Sequence, residues 1–172
     1  YASGIDWYRY LRPGSYNYIN PPKLIIKGID VNTTVGLLPQ YSVFNGANCP
    51  GIILENLANH SELYVLGLLN SIVVSYYLKS VCPPKLGGYR RFNANNLNAI
   101  TIRTINFNDL AEKSKHDKMV SLVEKMLALH KSMAEAKTPQ EGELIKRQIT
   151  STDKAIDSLV YELYGLSEEE IG

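Results

Sequence analysis

The sequence predicts an α+β chain: a small mixed or antiparallel β-sheet with a covering helix, followed by a C-terminal antiparallel helical hairpin. Three observations carry that prediction. Short runs of β-branched and apolar residues, Lys23–Ile29 (KLIIKGI), Tyr41–Phe44 (YSVF) and Gly51–Leu54 (GIIL), stand between Asn, Gly and Pro stretches, as strands between turns do. Leu63–Leu78 is a longer apolar stretch interrupted only by Gly67, Asn70, Ser71 and Ser75, which reads as a buried helix. After Asn108 the composition turns to helix formers whose apolar residues recur every three or four positions. The expected units are a sheet-bearing part, residues 1–108, and a helical hairpin, residues 109–172.

Each element has a local reason. Residues 1–18 are dense in aromatics and turn formers (Trp7, Tyr8, Tyr10, Pro13, Gly14, Tyr16, Tyr18), and Pro21-Pro22 closes this loop-rich opening. Ser61 before Glu62 and an apolar run marks a helix start; the helix runs to about Leu69, is interrupted at Asn70-Ser71, and resumes over Ile72–Leu78. Residues 79–99, with two prolines, adjacent glycines and four asparagines, read as a long irregular loop. Ile100–Ile105 (ITIRTI) alternates like a strand and is expected to close the sheet. Met119, Leu122, Val123, Met126, Leu127, His130 and Met133 form one helical stripe. Thr138, Pro139 and Glu141 supply the cap, first position and capping-box residue of a second helix, whose stripe is Ile145, Ile149, Thr152, Ile156, Leu159 and Leu163. Gly165 ends it, and Ser167 with three glutamates opens a last short turn.

Composition narrows the function classes. A chain of 172 residues, 45% hydrophobic and 20% charged, supports one core with an appendage and is neither an acidic disordered tail nor a histone-like basic chain. Its near-neutral total hides a split. Residues 1–104 hold nine Lys/Arg against four Asp/Glu, and residues 105–172 hold nine against thirteen. The basic part is expected to face an anion. Two cysteines, Cys49 and Cys82, give no disulfide framework and favour a reducing, cytoplasmic setting. Leu63–Leu78 is shorter than the roughly 20 residues a bilayer span needs, so no membrane partner is expected. Tyr1 stands first with no leader after it, which reads as a piece of a longer protein.

No catalytic constellation assembles from spacing. His60, His116 and His130 lack metal-ligand spacing, Cys82 before Pro83-Pro84 has no histidine beside it, and Asp6, Asp30 and Glu55 are scattered. Asn20-Pro21-Pro22 is similar to the catalytic loop of amino-methyltransferases, but Lys23 follows where that loop has an aromatic residue, and no glycine-rich cofactor turn precedes it. Binding fits better. Lys79, Lys85, Arg90 and Arg91, interleaved with Gly87, Gly88, Tyr89, Phe92, Asn93, Asn95 and Asn96, combine phosphate-neutralising cations with groups able to pair with base edges. Arg9, Arg12, Lys23 and Lys27 form a second basic group among aromatics. The alternatives are a solvated basic loop and aromatics that fill core.

Three segments together resemble the TaqI-like C-terminal specificity domain, the target-recognition region of adenine-specific DNA methyltransferases and of enzymes that fuse methylation with cleavage. They are Trp7-Tyr8-Arg9-Tyr10 with Arg12 and Pro22–Ile26; the helix Leu63–Ser71 ending in Leu-Asn-Ser, with Tyr76-Tyr77 and the Tyr89, Arg90, Phe92 loop after it; and the ending Ile156–Ile171, IDSLVYELYGLSEEEI. The resemblance implies double-stranded DNA as partner and an upstream catalytic domain, outside this segment, that binds S-adenosylmethionine; the fragment itself then needs no cofactor and no metal and is not an enzyme. In members that also cut, a nuclease domain lies further upstream. A DNA target-recognition domain is the leading expectation, with phosphate contacts from Arg9, Arg12, Lys23 and Lys27 and base-edge contacts from the loop at residues 85–96, the DNA-binding candidates there being Lys85, Gly87, Gly88, Tyr89, Arg90, Arg91 and Asn93; the resemblance does not give the base code. The competing expectation is a protein–protein docking module that binds a partner subunit of a restriction-modification assembly through the acidic hairpin.

Overall fold

The computed structural model describes residues 23–42, 48–54 and 60–172. Residues 1–22, which hold Arg9, Arg12 and the Asn-Pro-Pro turn, lie outside the described residues, as do Glu55 and half of the Tyr41–Phe44 run.

Strand β1 (Lys23–Ile26) pairs antiparallel with β3 (Val35–Leu38) on one side and β4 (Gly51–Ile52) on the other, in the order β3-β1-β4. Leu24 lies opposite Leu37 and Ile52, and Leu24 and Ile26 are buried, 1% exposed or less. A second ribbon joins β2 (Ile29–Asp30) to β5 (Arg90–Arg91), also antiparallel. Two expected strands fall elsewhere. Tyr41 and Ser42 form a turn and irregular backbone, and the strand lies earlier, at Val35–Leu38.

Ile100–Ile105 is irregular and closes no sheet. Side chains take up its backbone groups instead. The hydroxyls of Tyr77, Tyr164 and Tyr64 donate to the carbonyls of Ala99, Thr101 and Arg103 (3.2, 3.0 and 2.8 Å), and Ile105 N–H donates to His60 Nε2 (2.8 Å). Arg103 Nε also reaches the Leu163 carbonyl, and its guanidinium pairs with Glu112 at 2.8 Å. Since a backbone group needs a partner but not a ladder, the segment runs as a strap tethered by side chains of the helices.

Helix α1 (Glu62–Asn70) is capped by Ser61, whose hydroxyl accepts from Leu63 N–H, and buries Tyr64 through Leu69. The expected break is an elbow: α2 (Ile72–Val81) leaves at 62° to α1. Asn70 explains it. Its amide accepts from Val35 N–H (2.9 Å) and donates to Val35 and Leu66 carbonyls, tying the helix end to β3, while Ser71 caps α2. The stretch after α2 is more ordered than its composition suggests: a tight turn, β5, and the one-turn helix α3 (Ala94–Leu97).

Helices α4 (Leu110–Glu135) and α5 (Pro139–Tyr164) form the hairpin. Thr138 Oγ1 accepts from Glu141 N–H, and the Glu141 carboxylate reaches Lys137 N–H. Gly165 stops α5 with φ 66°, and α6 (Glu168–Ile171) follows behind a Ser167–Glu170 capping box. One core spans both parts, taking in Leu24 and Ile26, Tyr64, Val65, Leu66, Leu68 and Leu69, Met119 and Val123, and Ile156, Leu159, Val160 and Leu163. The hairpin is thereby anchored by its base, and His130, expected on the packed stripe, is exposed. No single helix among the described residues is long and apolar enough to cross a membrane.

Candidate nucleic-acid interface

The basic loop is built on the β2–β5 ribbon, with Ile29 opposite Arg91 and Asp30 opposite Arg90. Phe92 N–H donates to the Gly28 carbonyl (2.8 Å), continuing the pairing, and the Phe92 ring is buried. Strand alternation then fixes the arginines. Arg90 shares the Phe92 side, is half-buried, and directs Nη1 to the Cys82 carbonyl at 3.4 Å; Arg91 points the other way, into solvent. On its free edge β5 meets Pro84 through a bridge to Arg90, and Arg91 N–H donates to the Pro83 carbonyl.

This second pairing makes residues 85–89 a turn, closed by Lys85 N–H donating to the Tyr89 carbonyl at 2.8 Å. Gly87 and Gly88 take φ of 78° and 80°, the left-handed region that a residue with a Cβ enters only at a cost. Lys85, Leu86 and Tyr89 are all exposed, Leu86 to 98%. The Tyr89 ring packs beside the turn, 3.4 Å from where a Gly87 Cβ would stand.

The structure thus brings together Lys27, Lys85, Gly87, Gly88, Tyr89, Arg90, Arg91 and Asn93, with differing freedom. Lys27 sits one turn away, paired with Asp30 at 2.9 Å; Asp30 holds its ammonium above the usual lysine value, and Lys27 in return lowers the Asp30 carboxyl. Asn93 caps α3, its side-chain oxygen accepting from Asn96 N–H at 3.1 Å, and Asn96 donates to the Val81 carbonyl at 2.8 Å. Lys79 lies elsewhere, on the rim of a cleft of about 560 Å³ between the α1–α2 elbow and the hairpin, with Asp153 and Asp157. Lys23 begins β1; its side chain, like Arg9 and Arg12, is outside the described residues.

The groups weighed for catalysis have structural surroundings. Cys82 is buried with its thiol pushed up by that burial, which disfavours a thiolate nucleophile. His60 and His116 sit with Tyr64 and Phe107 in a ring cluster with centroids 5.0 to 6.0 Å apart, and His116 Nε2 accepts from Ser61 N–H at 3.1 Å. Among the described residues no three His, Cys, Asp or Glu groups gather as a metal site.

Two features of the site escaped sequence reasoning. Asp30 neutralises Lys27, a pairing that the i,i+3 spacing signalled. Leu86 crowns the turn, and its signal was an apolar residue between Lys85 and two glycines. Compared with known proteins, the chain matches no family model and no characterised protein sequence.

Proposed function

We propose that this chain is a DNA target-recognition domain that grips duplex DNA and selects the site for an adenine-methylating catalytic domain elsewhere in the same protein, which in turn carries S-adenosylmethionine. The observation that supports it best is the Lys85–Arg91 turn. Lys85 and Arg91 are exposed on either side of a glycine tip and make no ion pair among the described residues, so both are available to phosphates. Arg90 and Asn93 carry less of the contact, since each already serves a backbone group. Base reading then falls to the turn and to whatever residues 1–22 contribute.

The test is fluorescence anisotropy of the chain with a labelled random-sequence duplex at several salt concentrations. Affinity should fall steeply with salt, and Lys85→Ala and Arg91→Ala should each lower the slope of log affinity on log salt by about one. Affinity indifferent to salt and to both substitutions would remove the reading.

A second reading, an arm that docks a partner subunit, is favoured by the hairpin. Each helix has 26 residues, about 39 Å at 1.5 Å per residue. The body covers only the base, at His116, Met119 and Val123 of α4; farther out Leu127 and Leu144 are 42% and 59% exposed. Leu127→Glu with Leu144→Glu should abolish co-purification with the partner while duplex affinity stays, and retained co-purification would dismiss the arm.

A further inference from the structure

We propose that Leu86 is an apolar wedge that enters the base stack of duplex DNA while Lys85 and Arg91 hold the flanking phosphates, an inference that rests on the duplex-binding reading above. A single exposed leucine is ordinary on a protein surface. This one is held out. Its turn is closed by the Lys85–Tyr89 hydrogen bond and the Pro84–Arg90 bridge, and Pro83-Pro84 stiffens the incoming arm. Gly87 and Gly88 reverse the chain at positive φ without adding side chains, so the tip presents Leu86 with the half-exposed Tyr89 ring beside Gly87.

The surroundings match what a wedge requires. Leu86 has 98% of its surface in water, so burial between bases removes apolar area that folding left exposed. The Tyr89 ring beside Gly87 offers a second flat apolar surface at the base of the tip, for a sugar or a splayed base. Proteins that open a base step insert a Leu, Ile, Phe, Met or Pro and spend a few kcal/mol on unstacking. Insertion into a lipid surface is the weaker match, because even a full acyl chain gives only marginal membrane binding and one leucine buries far less.

The experiment compares two labelled duplexes of the same sequence, one intact and one with a central abasic gap, for the whole chain and for Leu86→Ala and Arg91→Ala. A gap removes the unstacking cost, so the unaltered chain should prefer the gapped duplex by about tenfold or more. Leu86→Ala should reduce that preference below about threefold with little change on the intact duplex, whereas Arg91→Ala should weaken both duplexes alike and keep the preference. Salt-sensitive binding without a gap preference, or a preference that survives Leu86→Ala, overturns the wedge and leaves the duplex reading standing. Absence of binding to either duplex overturns both, as does capture by phosphatidylserine vesicles in place of DNA.

Discussion

Gly67→Ala tests how the sheet-bearing part is seated on the hairpin. Gly67 is buried in the middle of α1, where that helix crosses α4. A Cβ built there would stand 2.5 Å from Met119 Sδ and 2.9 Å from Val123 Cγ2. Methionine would ordinarily swing away, but Met119 is 0% exposed and Val123 is β-branched, so the helices themselves must part. Overpacking of this kind costs about 1–3 kcal/mol, and the better helix propensity of alanine returns about 0.5–1 kcal/mol. The net expectation is a loss of about 1–2 kcal/mol, a fall in melting temperature of about 5 °C for a chain of this size. Thermal and urea denaturation measure it, with an unchanged urea slope as the check that stability rather than compactness has moved. In a Met119→Ala background the sulfur is gone and only the Val123 contact remains, so the same substitution should cost less than it does alone. If Gly67→Ala stabilised the chain by its propensity gain, the close crossing of α1 and α4 would be refuted.

Two further predictions address the strap and the acid response. Tyr64→Phe should cost about 1–2 kcal/mol, because it leaves the Arg103 carbonyl without the donor now at 2.8 Å; equilibrium denaturation reads it, and unchanged stability would argue against the tether. Glu112 is held below its ordinary 4.5 first by Asn106 N–H and then by Arg103, so its contribution is present above that value and lost as the pH falls through the folded one. Asp157 behaves oppositely. Burial raises it above 3.8, so its charge costs stability as pH rises through the raised value. In denaturation series from about pH 3 to pH 7, Glu112→Gln should flatten the acid-side loss, whereas Asp157→Asn, which keeps an acceptor for Ile72 N–H, should gain on the parent toward neutrality. Parallel pH profiles for all three chains would contradict both assignments.

What could be read from the sequence follows from how far each determinant reaches along the chain. Caps and helical periodicity act within a few residues, so Ser61, the Asn70-Ser71 break, Thr138-Pro139 and Gly165 were each visible and stand where expected. Pairing acts across the chain. ITIRTI has the alternation of a strand, yet Thr101, Arg103 and Ile105 find their backbone partners in side chains that lie 39 to 63 residues away, and no local pattern announces them. Val35–Leu38 carries a glycine and no alternation, and is a strand because β1 lies beside it with Lys23 opposite Leu38.

The same distinction reshapes the candidate site. A count of the basic and amide residues at 27 and 79–99 treats every one as available, but folding commits several of them: Asp30 takes Lys27, the Cys82 carbonyl takes Arg90, and Asn93 and Asn96 satisfy backbone groups. At the turn itself the exposed side chains are Lys85, Leu86, Tyr89 and Arg91, two cations around an apolar tip. Such a surface is poor in the paired donors and acceptors that distinguish one base pair from another. Under the proposed duplex reading, recognition through it would depend on how readily a step opens, which favours flexible pyrimidine–purine steps at positions that no side chain contacts.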